Sequence, residues 1–479
     1  MTISAMRRRT FLRQALGAAA AMAGGAACPA RAAPSADGDA PAAADRPNVI
    51  LAMTDDQGWG DTGYNGHPVL KTPTLDAMAR AGLRFDRFYS GAPVCSPTRG
   101  SAMTGRHPYR YGITFANVGH LPPEEITLAE ALKTQGYTTG HFGKWHLGTL
   151  TRTEKDSNRG GPRGVRHYAP PWAHGFDVCF STEAKVPTWD PMHRPGTDKP
   201  YGTAYWTGPE TKATENLAGD DSRVIMDRAI PFIRDAARQK TPFLAVIWFH
   251  TPHEPVLTGE SYLKLYEGTG SEKERHYWGC LTAMDEQMGR LRDELRRLGV
   301  AGNTMLWFCA DNGPEHRTGP GSAGGLRGRK RDLFEGGIRV PGLLEWPARI
   351  PRPRATAVPC STSDYFPTVL AALGFRMKGQ PEPLDGVDLV PLIDGQMDAR
   401  PRPIAFESRN QVALVDNRWK LLTRDKGKSW MLFDLAADPA EKEDVAAAHP
   451  DVVARMKETV EAWRASCRDS RAGKDYGQG

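Results

Sequence analysis

Three short apolar runs stand out along the chain: NVILAM (48–53), PFLAVIWFH (242–250) and TMLWFCA (304–310). None alternates apolar with polar, so each is of the kind buried on both faces in a parallel sheet. Segments with helical spacing lie between and around them. TPTLDAMARAGLRF (72–85) repeats Leu75, Met78 and Ala79 on one face and has Gly82 near its end. TLAEALKTQG (127–136) offers Thr127 as N-cap and Gly136 past its end. DSRVIMDRAIPFIRDAARQ (221–239) is amphipathic, and its interior Pro231 should bend or break it. TAMDEQMGRLRDELRRLG (282–299) is a long helix closing at Gly299. The alternation predicts an α/β fold with a large mixed, mostly parallel sheet sandwiched by helices.

After DGVDLVPLIDG (385–395) the texture changes. QVALVDNRWKLLTR (411–424) reads as a hairpin turning at Asp416-Asn417, MLFDL as a further strand, and PDVVARMKETVEAWRAS (450–466) as a closing helix. The expected organisation is a catalytic domain over 47–395 and a small C-terminal α+β subdomain over 396–479. No internal repeat is evident.

The N-terminus changes how the charge is read. Arg8-Arg9-Thr10-Phe11-Leu12-Arg13, an Ala/Gly-rich apolar stretch and Ala30-Arg31-Ala32 look like a twin-arginine signal peptide over residues 1–32. The apolar stretch is too short and too weakly hydrophobic to be a membrane span. Gly25-Ala26-Ala27 makes a poor lipidation box before Cys28. Residues 33–46 (APSADGDAPAAADR) are a flexible linker by composition. A periplasmic or secreted protein is expected. The formal net charge of +6 includes five arginines and no acids in residues 1–32, so cleavage leaves +1. The basicity is mostly the export signal and supports no nucleic-acid or membrane partner. The six cysteines beyond Cys28 are scattered, with no C-x-x-C pair, and indicate neither zinc nor a disulfide framework. Cys280 and Cys309 lie in apolar runs, whereas Cys95 has polar, Gly/Pro-rich neighbours.

In open α/β sheets, ligands sit beyond the carboxyl ends of the strands. Asp55 and Asp56 follow the first run, His250 and His253 the second, and Asp311 and Asn312 the third. Each stretch is also readable as an ordinary turn; that all three runs end in ligand-type side chains is what draws attention. Asp55, Asp56, Asp311 and Asn312 offer only oxygen, which suits calcium or magnesium rather than zinc. In CSPTRG (95–100), Ser96 is a good N-cap and Pro97 a favoured first helical residue, which stands Cys95 at the positive end of a helix. Arg99 can reach back to the same spot. HFGKWHLG (141–148) adds Lys144 and His146, and RGRKRDLFEGG (327–337) adds Lys330.

With these residues in place the chain resembles a type I sulfatase, of the arylsulfatase-like branch of the alkaline phosphatase superfamily. Cys95-Ser96-Pro97-Thr98-Arg99 matches the C-x-P-x-R signature and GKWHLG the second signature. DDQGWGD, PHEP, DNGPE and KRDLFEGG match the metal and substrate elements in order. The resemblance implies an alkaline phosphatase-like fold and an enzyme that hydrolyses sulfate esters. It implies that a formylglycine-generating maturation enzyme oxidises Cys95 to Cα-formylglycine. One hydroxyl of the hydrated aldehyde then attacks sulfur, and the second expels sulfate. It further implies that Asp55, Asp56, Cys95, Asp311 and Asn312 bind Ca2+, or Mg2+. Arg99 and Lys144 would hold diol and sulfate oxygens, and His146 would be the base for release. His253 and Lys330 would contact sulfate, one of them protonating the leaving oxygen. His253 fits the pattern better than His250; Ser181 is a guess for a sulfate-contacting serine.

Two rival readings stay open at this stage: a phosphomonoester or phosphonate monoester hydrolase of the same superfamily, and a sulfated-glycan binding protein with unmodified Cys95. Residues 167–210 hold Tyr168, Trp172, Trp189, Tyr201, Tyr205 and Trp206 with His193 and Arg194. They could stack on a sulfated glycan, with Trp189 and Trp206 as its wall, or pack as an insertion over the sheet edge.

Overall fold

The computed structural model describes residues 36–37, 46–157, 159–315 and 319–476. The expected signal peptide and most of the linker lie outside the described residues. Ten strands form the main sheet. In chain order they are β1 (Asn48–Thr54), β2 (Leu83–Phe85), β3 (Thr138–Lys144), β4 (Val178–Thr182), β5 (Trp206–Gly208), β6 (Thr211–Lys212), β7 (Phe243–Trp248), β8 (Thr304–Ala310), β9 (Gly342–Glu345) and β10 (Arg354–Thr356). Their order in space is β10-β2-β9-β8-β1-β7-β3-β4-β5-β6. The central five, β8-β1-β7-β3-β4, are mutually parallel. Antiparallel pairs appear only toward the two flanks.

Alternate residues of β1 enter opposite cores, as the two-residue period of a strand demands. Val49, Leu51 and Met53 join one buried cluster, Ile50 and Ala52 the other. The first cluster takes residues from α2 (Cys95–Thr104), α3 (Leu128–Lys133) and α6 (Tyr365–Ala372). The second takes residues from α1 (Pro73–Ala81), α4 (Asp221–Arg238) and α5 (Glu272–Arg297). Helices therefore cover both faces, as the apolar runs require.

Four local expectations need correction. The segment after Gly82 leaves the helix and becomes β2. α4 runs unbroken through Pro231, which sits on its exposed side, where water can serve the carbonyl one turn earlier that loses its N–H donor. α5 starts ten residues before the predicted 282, at a capping box between Ser271 and Glu274. Its first turns are polar and show no periodicity. The C-terminal hairpin turns at Asn417-Arg418, because Asp416 pairs with Trp419. That hairpin joins β12 (Gln411–Asp416) to β13 (Trp419–Thr423), between β11 (Ile404–Ser408) and β14 (Met431–Asp434), and α7 (Pro450–Arg471) packs on the sheet. This is the small C-terminal antiparallel sheet. No helix among the described residues is long and apolar enough to cross a membrane.

Of the six aromatics in the insertion, Tyr205 and Trp206 pack as structure, and Tyr168, Trp172, Trp189 and Tyr201 are only part-buried. Trp206 is fully buried in the sheet, and its Nε1 donates to Asp156 at 2.6 Å. Tyr205 is also buried, stacks on Phe180 at 4.1 Å and donates its hydroxyl to Asp221. Trp189 lies against Gly259. Replacing Trp206 with Ala should therefore cost about 3–5 kcal/mol of stability, read from urea unfolding. An unchanged midpoint would contradict this packing.

Candidate active site

Parallel neighbours end on the same side, so the chemistry-bearing residues after β1, β8, β7 and β3 converge. Two backbone bonds and one to a side chain lock the strand ends together: Asp55 N to Thr251 O (2.9 Å), Asp311 N to Thr54 O (3.0 Å) and Asp56 N to Asp311 Oδ1 (3.1 Å). Asp56 adopts the left-handed region (φ 69°), which turns its carboxylate away from the line of β1. Cys95 is the first residue of α2, two positions earlier than the sequence predicts, with Val94 flanking it and no side-chain cap. Ser96 does not cap because it is the second residue of the helix; its Oγ accepts from Asn117 N at 3.3 Å. Gly100 is needed where it stands: a Cβ there would lie 2.6 Å from the Tyr111 hydroxyl.

Three carboxylates and three cations meet here, all buried. Arg99 donates to Asp311 Oδ2 at 2.6 Å and to Lys144 O at 2.9 Å, and its guanidinium lies over the Trp248 ring. Lys144 Nζ is 2.5 Å from Asp55 Oδ2, and Lys330 Nζ is 2.5 Å from Asp56 Oδ1. Burial opposes the charge of Asp55, but Lys144, His253, Arg99 and Lys330 outweigh it and hold its carboxyl well below the usual range. Asp311 goes the other way: burial, with the Asp55 charge adding, pushes it up to about 7. Burial also raises the Cys95 thiol to about 11 and lowers His253 to about 4.

The residues fit a hard divalent cation. One ligand atom from each of Asp55, Asp56, Cys95 and His253 lies within 4.8 Å of the others. Asp55 Oδ1 and Asn312 Oδ1 are buried oxygens without a hydrogen-bond partner among the described residues, while Asn312 Nδ2 is spent on Asp56 and Gly313 O. Such orphaned oxygens are what a cation satisfies.

A cleft of about 440 Å³ opens over this group. Cys95, Lys144, His146, His253 and Lys330 line it. Phe115, Asn117, Lys185 and Arg331 also line it, and sequence reasoning missed them because a non-periodic loop carries no signal. Trp189 and Trp206 are not among its lining residues. Ser181 and His250 face elsewhere. Ser181 Oγ pairs with His141 Nδ1 at 2.7 Å. His250 bridges Thr182 Oγ1 and Asp221 Oδ2 at 2.7 and 2.8 Å, whereas His253 Nε2 lies 3.6 Å from Asp56.

Against known proteins, residues 47–375 match the family model described as "Sulfatase". The chain belongs to the sulfatase family. Residues 328–466 also match the model described as "N-sulphoglucosamine sulphohydrolase, C-terminal". This sulfatase is 32% identical over 462 residues to arylsulfatase A of Homo sapiens, across 86% of each chain. It is 31% identical over 416 residues to N-acetylgalactosamine-6-sulfatase of Mus musculus, covering 82% of this chain and 75% of that one. The solved structure of Ps i-CgsB in complex with k-i-k-neocarrahexaose matches at TM-score 0.76 and 27% identity, over 87% of this chain and 92% of that one. A phosphonate monoester hydrolase of Agrobacterium radiobacter shares the fold at TM-score 0.63 and 21% identity, over 88% and 96% of the two chains. The enzyme is a sulfuric ester hydrolase with an alkaline phosphatase-like fold.

Removing one partner of a buried pair leaves the other charge uncompensated. Arg99→Ala should lower stability by about 3–5 kcal/mol in urea unfolding. Arg331→Ala, which removes a part-exposed partner of Glu315, should cost no more than about 1 kcal/mol. Equal losses would show that Arg99 is not the electrostatic keystone.

Proposed function

We propose that this sulfatase removes sulfate from a sulfated carbohydrate, with residue 95 as a formylglycine diol and calcium, or magnesium, as its cation. The observation that carries the reading is the charge count at the strand ends. Arg99, Lys144 and Lys330 balance Asp55, Asp56 and Asp311 one for one. A divalent cation on Asp55, Asp56, Asp311, Asn312 and residue 95 would leave two positive charges in excess, which suits an anionic ester. When bound, it would supply Lewis-acid polarisation and hold residue 95 in place. Oxidised by a maturation enzyme and hydrated, residue 95 would offer one hydroxyl to attack sulfur and a second to release sulfate.

The rest falls to the chain's own side chains. Arg99 and Lys144 hold oxygens around residue 95 and shield their charge in a buried setting. His253 and Lys330 hold sulfate, and one of them gives a proton to the departing sugar oxygen. His146 takes the proton that triggers release. Support for a sugar substrate is the relative named for N-acetylgalactosamine, the neighbour solved with k-i-k-neocarrahexaose, and the cleft itself. Phe115 gives it an aromatic face, braced by the Arg409 guanidinium at 3.8 Å. Export to the periplasm or beyond, through residues 1–32, would bring the enzyme to such glycans.

Release of sulfate from defined sulfated hexosamines tests the reading. Chelation should abolish turnover, and calcium or magnesium should restore it. Faster turnover of phosphate or phosphonate monoesters would favour the phosphoryl reading instead. A sugar alcohol is a poorer leaving group than a phenol, so Lys330→Ala or His253→Ala should cost about 10²–10⁴-fold on a sugar sulfate and much less on an aryl sulfate. Equal losses on both substrates in both variants would remove the proton-donor role.

A further inference from the structure

The loop between α2 and α3 is held against His146 at several points. Val118 N closes a turn onto Phe115 O at 3.1 Å, and Asn117, third in that turn, takes φ 62°. Glycine and asparagine are the residues that tolerate this position. Leu121 N donates to Leu147 O at 2.7 Å. Arg159 grips both sides, donating to Gly119 O at 2.6 Å and to Glu183 Oε1 at 3.3 Å. Glu183 in turn accepts, through its backbone carbonyl, the N–H of His146 at 3.0 Å. His146 itself sits at φ 59°. Two left-handed residues are thus pinned face to face, with His146 Nε2 2.9 Å from Asn117 Oδ1. The other nitrogen, Nδ1, is buried and has no hydrogen-bond partner among the described residues.

We infer that Asn117 is a positioning residue that fixes His146 as the Nε2–H tautomer and leaves Nδ1 bare to take a proton. A carbonyl oxygen can only accept, so the hydrogen of that bond must come from Nε2. Burial, reinforced by Lys144, Arg159 and Arg99, keeps His146 well below its usual pKa, so the ring holds a single proton. The opposite amide orientation would move that proton to Nδ1, where it would be buried without an acceptor and repelled by those same cations. Only the base role of His146 rests on the proposed release step; the tautomer does not.

The test uses the full chain with 15N-labelled histidine, above neutral pH, and long-range 1H–15N correlation. His146 signals are assigned by their loss in His146→Gln. The native enzyme should show a protonated Nε2 and a bare Nδ1. Asn117→Asp, whose carboxylate can only accept, should keep that pattern, and Asn117→Ala should give exchanging tautomers. In turnover, Asn117→Ala should lower kcat about 10–100-fold with KM little changed, as for other groups that orient an active histidine. Asn117→Asp should recover most of it. A proton on Nδ1 in the native enzyme, or an unchanged pattern in Asn117→Ala, overturns the inference. The inferred tautomer together with unaltered kcat in Asn117→Ala would uphold the positioning and refute the release role of His146.

Discussion

The site depends on a balanced set of buried charges at the ends of parallel strands. Asp55, Asp56 and Asp311 would repel one another if left alone in a region shielded from water. Arg99, Lys144 and Lys330 offset that repulsion in part, each within hydrogen-bond reach of one carboxylate. Desolvation makes such an arrangement expensive, and its worth to stability alone is small. What it provides is a rigid, charged floor beneath the cleft, ready for a cation and an anionic ester.

The sheet explains why four of these six residues, Asp55, Asp56, Lys144 and Asp311, can meet although they are far apart in sequence; Arg99 comes from α2 and Lys330 from a loop. β1 lies between β8 and β7, and β3 beyond β7, so their last residues share one edge. The hydrogen bonds from Asp55 N and Asp311 N continue the ladder one step past the strands, holding the acidic residues in register. α2 then presents Cys95 from its first turn, where its backbone N–H groups favour negative charge.

Much of this was legible in the sequence because it follows from short-range pattern. Unbroken apolar runs announced β1, β7 and β8, and the ligand-type residues directly after them announced which edge mattered. What was not legible depends on contacts between distant segments. Ser96 looks like a cap, but the helix begins one residue before it and its hydroxyl accepts from Asn117 N instead. Trp206 looks like a sugar platform, but the sheet edge buries it. Pro231 looks like a break, but exposure makes it harmless in α4. Asn117 lies in a loop without periodicity, and its approach to His146 arises only when Arg159 and Leu121 tie that loop down. Each miss is a case where tertiary packing overrode a local preference.

The central claim is that the balanced charges serve an oxidised residue 95 rather than a cysteine. Mass spectrometry of the peptide containing residue 95, from protein expressed with its maturation enzyme and assayed for sulfate release, tests it most directly. The account predicts that active preparations carry an aldehyde at position 95 that reacts with a hydrazide, and that specific activity rises in proportion to its fraction. Full activity in protein whose residue 95 is wholly an alkylatable thiol would contradict it.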